Sequence, residues 1–367
     1  MSEATKSHLH LEFVREGSTR SVSRGDALTS ELREMLETSF PAGFNLAVVD
    51  RSEILVRAWG GFSYALAPKI ETARDTIYDL ASLTKVVSTT TLALWLVENR
   101  QWKLSDPVAK WLPGFPRDDL TVFQLLTHTS GQIPHVPFFH LGQHPRSIRR
   151  AVYDESTRGD TPGTVLYSDL NFMLLGWAIA ACSGQNLDQL FRSVIADPLG
   201  MIDTRYRPRK RDLHRIAATE RNGDQRLDKE LVWGEVHDGN AWSLNGVAGH
   251  AGLFAPADDL VRFVQALLNL RRHPVLRSAT ISAMTRVQAG HQPDVRGLGW
   301  RLEPETWGAW PEGTYWHTGF TGTSLLISPS ANMGVILLMN AIHPSRQLER
   351  QEHVREMIHR AIAKWIA

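Results

Sequence analysis

The sequence predicts an α/β protein: one antiparallel sheet flanked by N- and C-terminal helices, with an all-helical domain inserted into the chain. Three observations predict it. Apolar runs of strand length and β-rich composition occur early (Phe44 to Val49, Ile54 to Trp59) and again late (Gly313 to Thr318, Thr323 to Ser328, Gly334 to Met339). The stretch between them, from Asp106 to about Arg205, has helical periodicity. Helical patterns also bracket the strands at both ends, at Glu31 to Thr38 and Gln351 to Ile366. This order is expected when the two ends of a chain share one sheet and a helical unit is inserted between them. The corresponding division is 1–105 as the first part of the α/β domain, 106–234 as a mostly helical insert with loops, and 235–367 as the second part.

Each element has a local cause. Asp50-Arg-Ser between the first two strands is a turn sequence and joins them as a hairpin. A helix follows from Ser82 to about Asn99; Val86, Val87, Leu92, Leu94, Trp95 and Leu96 make it apolar on nearly every side, which predicts burial. In the helical insert, breaks fall at Pro113-Gly114, Thr129-Ser-Gly131, Thr161-Pro-Gly163, Ser183-Gly184 and Pro198-Leu-Gly200. Residues 207–245 are polar with little periodicity and are expected to form an extended loop. Helical pattern returns at Ala257 to Leu270, opened by Pro256 with Asp258 and Asp259 in its first turn. Pro329-Ser-Ala-Asn332 is the turn between the last two strands.

Composition limits the function classes. With 367 residues, 43% hydrophobic, 22% charged and a net charge of +1, the chain is a globular protein with no excess of positive charge for nucleic acid. The basic cluster from Arg205 to Arg211 is short and broken by Tyr206 and Pro208, so it reads as a solvated loop. The single cysteine, Cys182, excludes an intramolecular disulfide. Apolar stretches at Thr90 to Val97 and Phe172 to Cys182 are too short or too interrupted to span a bilayer. The N-terminus lacks a basic-then-apolar leader, so the chain as given is expected to be cytoplasmic, or periplasmic or extracellular if a leader was removed.

Three constellations carry chemistry. Ser82 and Lys85 at i, i+3 lie on one helix face, where an amine can take the hydroxyl proton and the helix N-terminus favours a developing oxyanion. Tyr167, in Tyr167-Ser168-Asp169 at a loop-helix junction, offers a phenol to shuttle a proton. In Trp316-His317-Thr318-Gly319-Phe320-Thr321-Gly322, two glycines permit close approach of a substrate backbone. The Phe320 N–H is positioned to pair with that of Ser82 as an oxyanion hole.

These motifs resemble the serine beta-lactamase and penicillin-binding-protein superfamily, and within it the class C beta-lactamase, DD-peptidase and esterase branch. That group is marked by Ser-x-x-Lys, Tyr-x-Asn and Lys-Thr-Gly or His-Thr-Gly in this order. Leu125-Leu-Thr-His-Thr-Ser-Gly131, Pro198-Leu-Gly-Met201, Val236-His-Asp238 and Gly246-Val-Ala-Gly-His-Ala-Gly-Leu-Phe254 also look like the family. The resemblance covers roughly residues 30 to 365. It implies a beta-lactamase/transpeptidase-like fold with the site between its two domains. It also implies an acyl-enzyme mechanism: Ser82 as nucleophile, Lys85 and Tyr167 relaying its proton, and Ser82 and Phe320 N–H groups holding the oxyanion. Asp169, His317, Thr318 and Gly319 fall at substrate-binding positions. No cofactor or metal is implied, and the substrate would be a small-molecule ester, D-amino peptide or beta-lactam; the oligomeric state is not readable.

Two positions depart from the family pattern. Asp169 replaces Asn; when ionised it accepts hydrogen bonds only, and it is placed to pair with Lys85, holding the lysine cationic and moving the base role toward Tyr167. His317 replaces Lys, removing a fixed positive charge. Both changes favour a neutral ester, amide or small D-amino peptide over carboxylate-bearing beta-lactams, so esterase or DD-peptidase-like activity with weak beta-lactam turnover is expected. The alternative is a penicillin-binding sensor-type domain that is acylated without release. A metal-dependent hydrolase using His237, Asp238, His250 and His317 is disfavoured because no His-Glu-x-x-His or comparable spacing is present. Trp242 and Trp316 are candidates for lining the acyl pocket, and the long loops expected at 132–160 and 207–245 for setting specificity.

Overall fold

The computed structural model describes residues 9–13, 28, 30–34, 42–223, 226 and 228–367. Its strands are β1 (His10–Phe13), β2 (Gly43–Val49), β3 (Ile54–Tyr64), β4 (Ile70–Glu71), β5 (Ile77–Asp79) and β6 (Arg205–Tyr206). They continue with β7 (Leu253–Pro256), β8 (Arg301–Leu302), β9 (Tyr315–Thr318), β10 (Ser324–Ser328) and β11 (Met333–Met339). The main sheet runs β1-β3-β2-β11-β10-β9-β8, with β4 paired to β3, and every pairing is antiparallel. β2 and β11 lie side by side at its centre, Leu46 opposite Leu337, so the first and last parts of the chain share one sheet as expected.

Period-two alternation decides what each face covers. Phe44, Leu46 and Val48 of β2 and Val335, Leu337 and Met339 of β11 face the C-terminal helix Leu348–Ile366, meeting its Val354, Ile358 and Ile362. Ala47 and Val49 of β2 and Ile336 and Leu338 of β11 face the other way. There they meet the helix Ala257–Leu268, which approaches so closely that a Cβ on Gly334 would lie 2.2 Å from Val264 Cγ1. The same core continues into the helices Thr91–Glu98, Pro145–Ser156 and Asp169–Ser183. Residues 31–34 of the expected N-terminal helix are helical; 35–38 lie outside the described residues.

Four features differ from expectation. β1 was not expected; it is a four-residue edge strand paired with β3. A second, three-stranded sheet in the order β5-β7-β6 joins the segment before Ser82 to the glycine-rich stretch 246–254. Segment 207–245 is not a plain extended loop. It includes the short helix Gly239–Ser243 and a buried polar cluster in which Arg226 has only 1% of its side chain exposed. Likewise 132–160 is largely structured, because Ile148 and Val152 give Pro145–Ser156 a buried face. No helix among the described residues is long and apolar enough to cross a membrane.

Candidate active site

The position of Ser82 follows from the turn that ends β5. The buried Asp79 carboxylate accepts the Ala81 N–H at 2.9 Å and the His237 N–H at 2.7 Å. Ala81 is thereby held at a left-handed φ of 46°, a sparsely populated conformation for a residue with a Cβ. The chain reverses there and enters the helix, and the Ser82 carbonyl accepts the Lys85 N–H at 3.0 Å. The first turns are π-helical over Lys85–Thr90 before the α-helix Thr91–Glu98, a wider winding found at functional sites. Thr84 and Thr89 fasten this helix to segment 249–253 leading into β7, accepting the Leu253 N–H and donating to the Gly249 carbonyl.

Lys85 is fully buried. Its ammonium donates to Ser82 Oγ at 2.8 Å and the His250 carbonyl at 3.0 Å, and pairs with Asp169 Oδ1 at 2.7 Å. These three acceptors match the three protons of an ammonium group, which itself has no lone pair. Burial opposes the charge, but Asp169 and Tyr167 outweigh it, so the Lys85 pKa is raised. Conversely, burial opposes ionisation of Asp169, yet Lys85 and His135 hold its carboxyl well below the usual range. The other Asp169 oxygen meets His135 Nδ1 at 3.3 Å, which raises the His135 pKa. The pairing of Asp169 with Lys85, expected from sequence, is therefore present.

Tyr167 completes the cluster. Its ring centroid lies 5.0 Å from Lys85 Nζ, 4.6 Å from the His128 ring and 6.1 Å from the His317 ring. His317 is 2% exposed, and burial together with the nearby Lys85 and Arg296 drives its pKa well below 6.5, so the imidazole is neutral at pH 7. Its Nδ1 contacts the Thr318 carbonyl at 2.8 Å; a carbonyl only accepts, so Nδ1 carries the proton and Nε2 the lone pair.

The turn after β9 is stapled to the strand before Ser82. Thr321 and Thr323 hydroxyls donate to the carbonyls of Asp79 and Leu80 at 2.7 and 3.1 Å. A Cβ on Gly319 would fall 2.1 Å from Thr323 Oγ1 and 2.5 Å from the Leu80 carbonyl oxygen, so glycine is required for this approach. From the C-terminal helix, Arg355 donates to the Gly319 carbonyl at 2.8 Å and Gln351 to the Phe320 carbonyl at 3.1 Å. The Phe320 ring stacks on His237 and lies under Arg346, and both partners are held by the buried Glu220. Among the described residues, neither the Ser82 nor the Phe320 N–H donates to a protein acceptor. Both residues line one cleft of about 590 Å³ with Tyr167, His317, Thr318 and Gly319.

The structure thus brings together Ser82, Lys85, Tyr167, Asp169, His317, Thr318, Gly319 and Phe320 from three distant segments. Trp316 and Trp242 do not line this cleft. β9 alternates, so with His317 facing the cleft Trp316 faces the opposite layer against Trp307, while Trp242 carries the Arg226 guanidinium. Of the histidines considered for a metal, His237 Nε2 lies 2.8 Å from Glu220 Oε2 and His250 Nε2 lies 2.9 Å from Asp238 Oδ1, each with its own carboxylate partner.

Sequence reasoning missed Arg296, Arg301 and Arg355, which also line the cleft. The positive charge that position 317 lacks is therefore supplied by neighbouring elements. Residues 290–312 show no motif spacing, and no signal in the sequence places these arginines beside Ser82.

A sheet carrying a Ser-x-x-Lys helix against a helical insert, with a hydroxyl and a phenol on one cleft and an amine buried behind the hydroxyl, defines a serine hydrolase. A sequence profile of the Beta-lactamase family matches residues 31–356, and the chain belongs to that family. It is 31% identical to a protein of Salmonella enteritidis PT4 over 85% of this chain and 81% of that one. It is 30% identical to one of Escherichia coli K12 over 88% and 83%; both carry the name "Putative D-alanyl-D-alanine carboxypeptidase". Among solved structures, the hydrolase EstCE1, described as having promiscuous acyltransferase activity, matches with TM-score 0.74 at 20% identity, covering 94% of this chain and 100% of that one. A class C beta-lactamase matches with TM-score 0.72 at 17% identity, covering 94% and 98%. These two establish likeness of fold.

Proposed function

We propose that the chain turns over small esters or D-amino peptides through an acyl-enzyme on Ser82, with Tyr167 rather than Lys85 moving the proton. The observation that carries the assignment is the saturation of Lys85 by Ser82, His250 and Asp169. A lysine that donates to the nucleophile and is held cationic orients the hydroxyl but has no lone pair to receive its proton.

Ser82 Oγ attacks the carbonyl. Its proton passes to the Tyr167 oxygen while Tyr167 gives its own to the departing oxygen or nitrogen, so no net charge is left on the phenol. The oxyanion is held by the N–H groups of Ser82 and Phe320, which have no competing protein acceptor among the described residues. Water then attacks the acyl-Ser82 ester, with Tyr167 as the group that activates it. Thr318 and Gly319 line the wall along which the substrate backbone lies. Asp169, occupied by Lys85 and His135, offers no N–H to the acylamino carbonyl of a beta-lactam, which supports weak lactam turnover. The D-alanyl-D-alanine carboxypeptidase name of the relatives supports a D-amino peptide. The division at 105/106 and 234/235 belongs to the same proposal, with Ser82 and His317 on the sheet side and Tyr167 on the helical side.

A panel of esters, D-alanine peptides and beta-lactams on one preparation, repeated with Tyr167→Phe, tests this. Multiple turnovers that fall at least about 100-fold in Tyr167→Phe are expected. Stoichiometric acylation without release, or an unaffected Tyr167→Phe variant, contradicts it.

A further inference from the structure

The segment Val236-His237-Asp238 stands out in the sequence, yet no step of acyl transfer uses His237. Its side chain is buried and does not line the Ser82 cleft. What it touches instead are the carriers of both oxyanion donors. Its backbone N–H donates to Asp79 Oδ2 at 2.7 Å, and Asp79 Oδ1 accepts the N–H of Ala81, the residue before Ser82, at 2.9 Å. Its ring lies against Phe320 with centroids 5.7 Å apart and planes 15° apart, an offset stack. One residue thus joins the turn that presents the Ser82 N–H to the side chain of the residue that presents the second N–H.

The backbone and the ring of Phe320 are held by different groups. Arg355 and the Gly322 N–H donate to the Gly319 carbonyl at 2.8 and 3.1 Å, and Gln351 donates to the Phe320 carbonyl at 3.1 Å, which fixes how the two peptide planes are turned. The ring is 37% exposed, so burial does not fix it. His237 supplies a flat surface against it, and the Arg346 guanidinium lies 5.3 Å from its centroid. Buried Glu220 orients both partners: Oε2 lies 2.8 Å from His237 Nε2 and accepts Arg346 Nη2 at 2.9 Å, and Oε1 lies 2.7 Å from Arg346 Nε. Glu220 is in turn tied to the main sheet and the segment after it, because the Ala218 N–H donates to the Ser63 carbonyl of β3 and the Arg221 N–H to the Pro344 carbonyl, each at 2.8 Å. The sheet thereby reaches Phe320 through one carboxylate and one imidazole.

We propose that His237, oriented by Glu220, is a positioning residue for the oxyanion hole: it carries the Phe320 ring on its face and the Asp79 carboxylate on its backbone N–H, and so sets how far the Phe320 N–H stands from that of Ser82. This rests on Ser82 as the nucleophile and adds the device that spaces the two donors. Both donors must reach one oxygen at about 2.7–3.1 Å, so a small displacement of Phe320 costs turnover while ground-state binding is left unchanged.

Because the Asp79 contact is made by the backbone, side-chain variants of His237 break the Phe320 arm alone. In the full chain carrying His237→Ala, kcat/KM for a nitrophenyl ester is expected to fall about 100-fold. The inhibition constant of phenylboronic acid, whose boron bonds to Ser82 Oγ as a tetrahedral adduct, is expected to rise in proportion, with less than about a twofold change in the binding of N-acetyl-D-alanine. His237→Phe, which keeps a ring against Phe320, is expected to recover most of the loss; His237→Gln, which keeps a donor to Glu220 and no ring, is not. Combined with Gly319→Ala, which moves the same N–H, the losses are expected not to add. If His237→Ala does not fold, His237→Gln carries the same comparison. Parental kcat/KM and boronate affinity in the folded variant, an equal weakening of boronate and N-acetyl-D-alanine, or full additivity with Gly319→Ala overturns the positioning role while Ser82 remains acylated. Absence of any Ser82 adduct in the parent overturns the acyl-enzyme reading itself, and the positioning role with it.

Discussion

Replacing Asp169 with Asn removes the carboxylate that holds Lys85 cationic while preserving shape. Lys85 Nζ lies 2.7 Å from Asp169 Oδ1, and the lysine is fully buried. Two unit charges at about 4 Å interact by roughly 4 kcal/mol at an effective dielectric constant near 20. Removing one partner of a buried pair costs about 3–5 kcal/mol because the other charge stays desolvated. Asp169 is 17% exposed, which places the loss near the lower end, about 3 kcal/mol. Against a typical total of roughly 5–15 kcal/mol, the variant still folds.

The sign follows from the two shifts. Lys85, raised by its partner, stabilises the fold below its unfolded value and loses that contribution as pH rises through the folded value. Asp169, lowered, stabilises above its unfolded value and loses it as pH falls. The contribution of the pair to the parent's urea-unfolding free energy should therefore be fully present between about pH 5 and pH 10 and be lost on either side. Without the carboxylate, burial drives the Lys85 pKa down, and the pH profile of kcat/KM should gain an ionisation absent from the parent. A stability loss under about 1 kcal/mol with superimposable pH profiles would refute the pairing as the device that fixes the charge on Lys85.

Other expectations follow from the same geometry. Gly319→Ala places a Cβ against Thr323 and the Leu80 backbone, so the Phe320 N–H shifts and kcat should fall about 100-fold while circular dichroism stays native. Glu220→Gln loosens His237 and Arg346 around Phe320 and should cost about 1–3 kcal/mol by urea unfolding at pH 7. Burial opposes the Glu220 charge, but His237 and Arg346 lower its pKa, so its contribution exists above about pH 4.5 and disappears as pH falls, and the two proteins should converge in acid. A short-chain nitrophenyl ester should be turned over faster than a chromogenic cephalosporin, because Asp169 donates nothing to a lactam side chain; the reverse order removes that argument.

What could be read from sequence was what local pattern encodes. β2, β3 and β9 to β11 show in their apolar runs, and the helix after Ser82 in its all-round hydrophobicity. The Asp169 and Lys85 pairing was legible because a single acid in place of an amide, near a buried amine, has few other partners. β1 and the two-residue strands β6 and β8 were not legible, since they are too short to carry a period. Nor was the support of Phe320, where Glu220 and Arg346 meet across 126 residues. Arg296 and Arg301 look like ordinary charged residues until the edge strand β8 sets them beside the site. Trp316 was misplaced although the information was present: alternation along β9 forbids it from sharing a face with His317.

The most direct test of Ser82 as the acylated residue is intact-protein mass spectrometry after brief exposure to an acylating lactam or activated ester, followed by peptide mapping. One added acyl mass on the peptide containing Ser82, gone in Ser82→Ala and released over time in the parent, is the expected result. A label that persists in Ser82→Ala, or maps to another residue, contradicts the account.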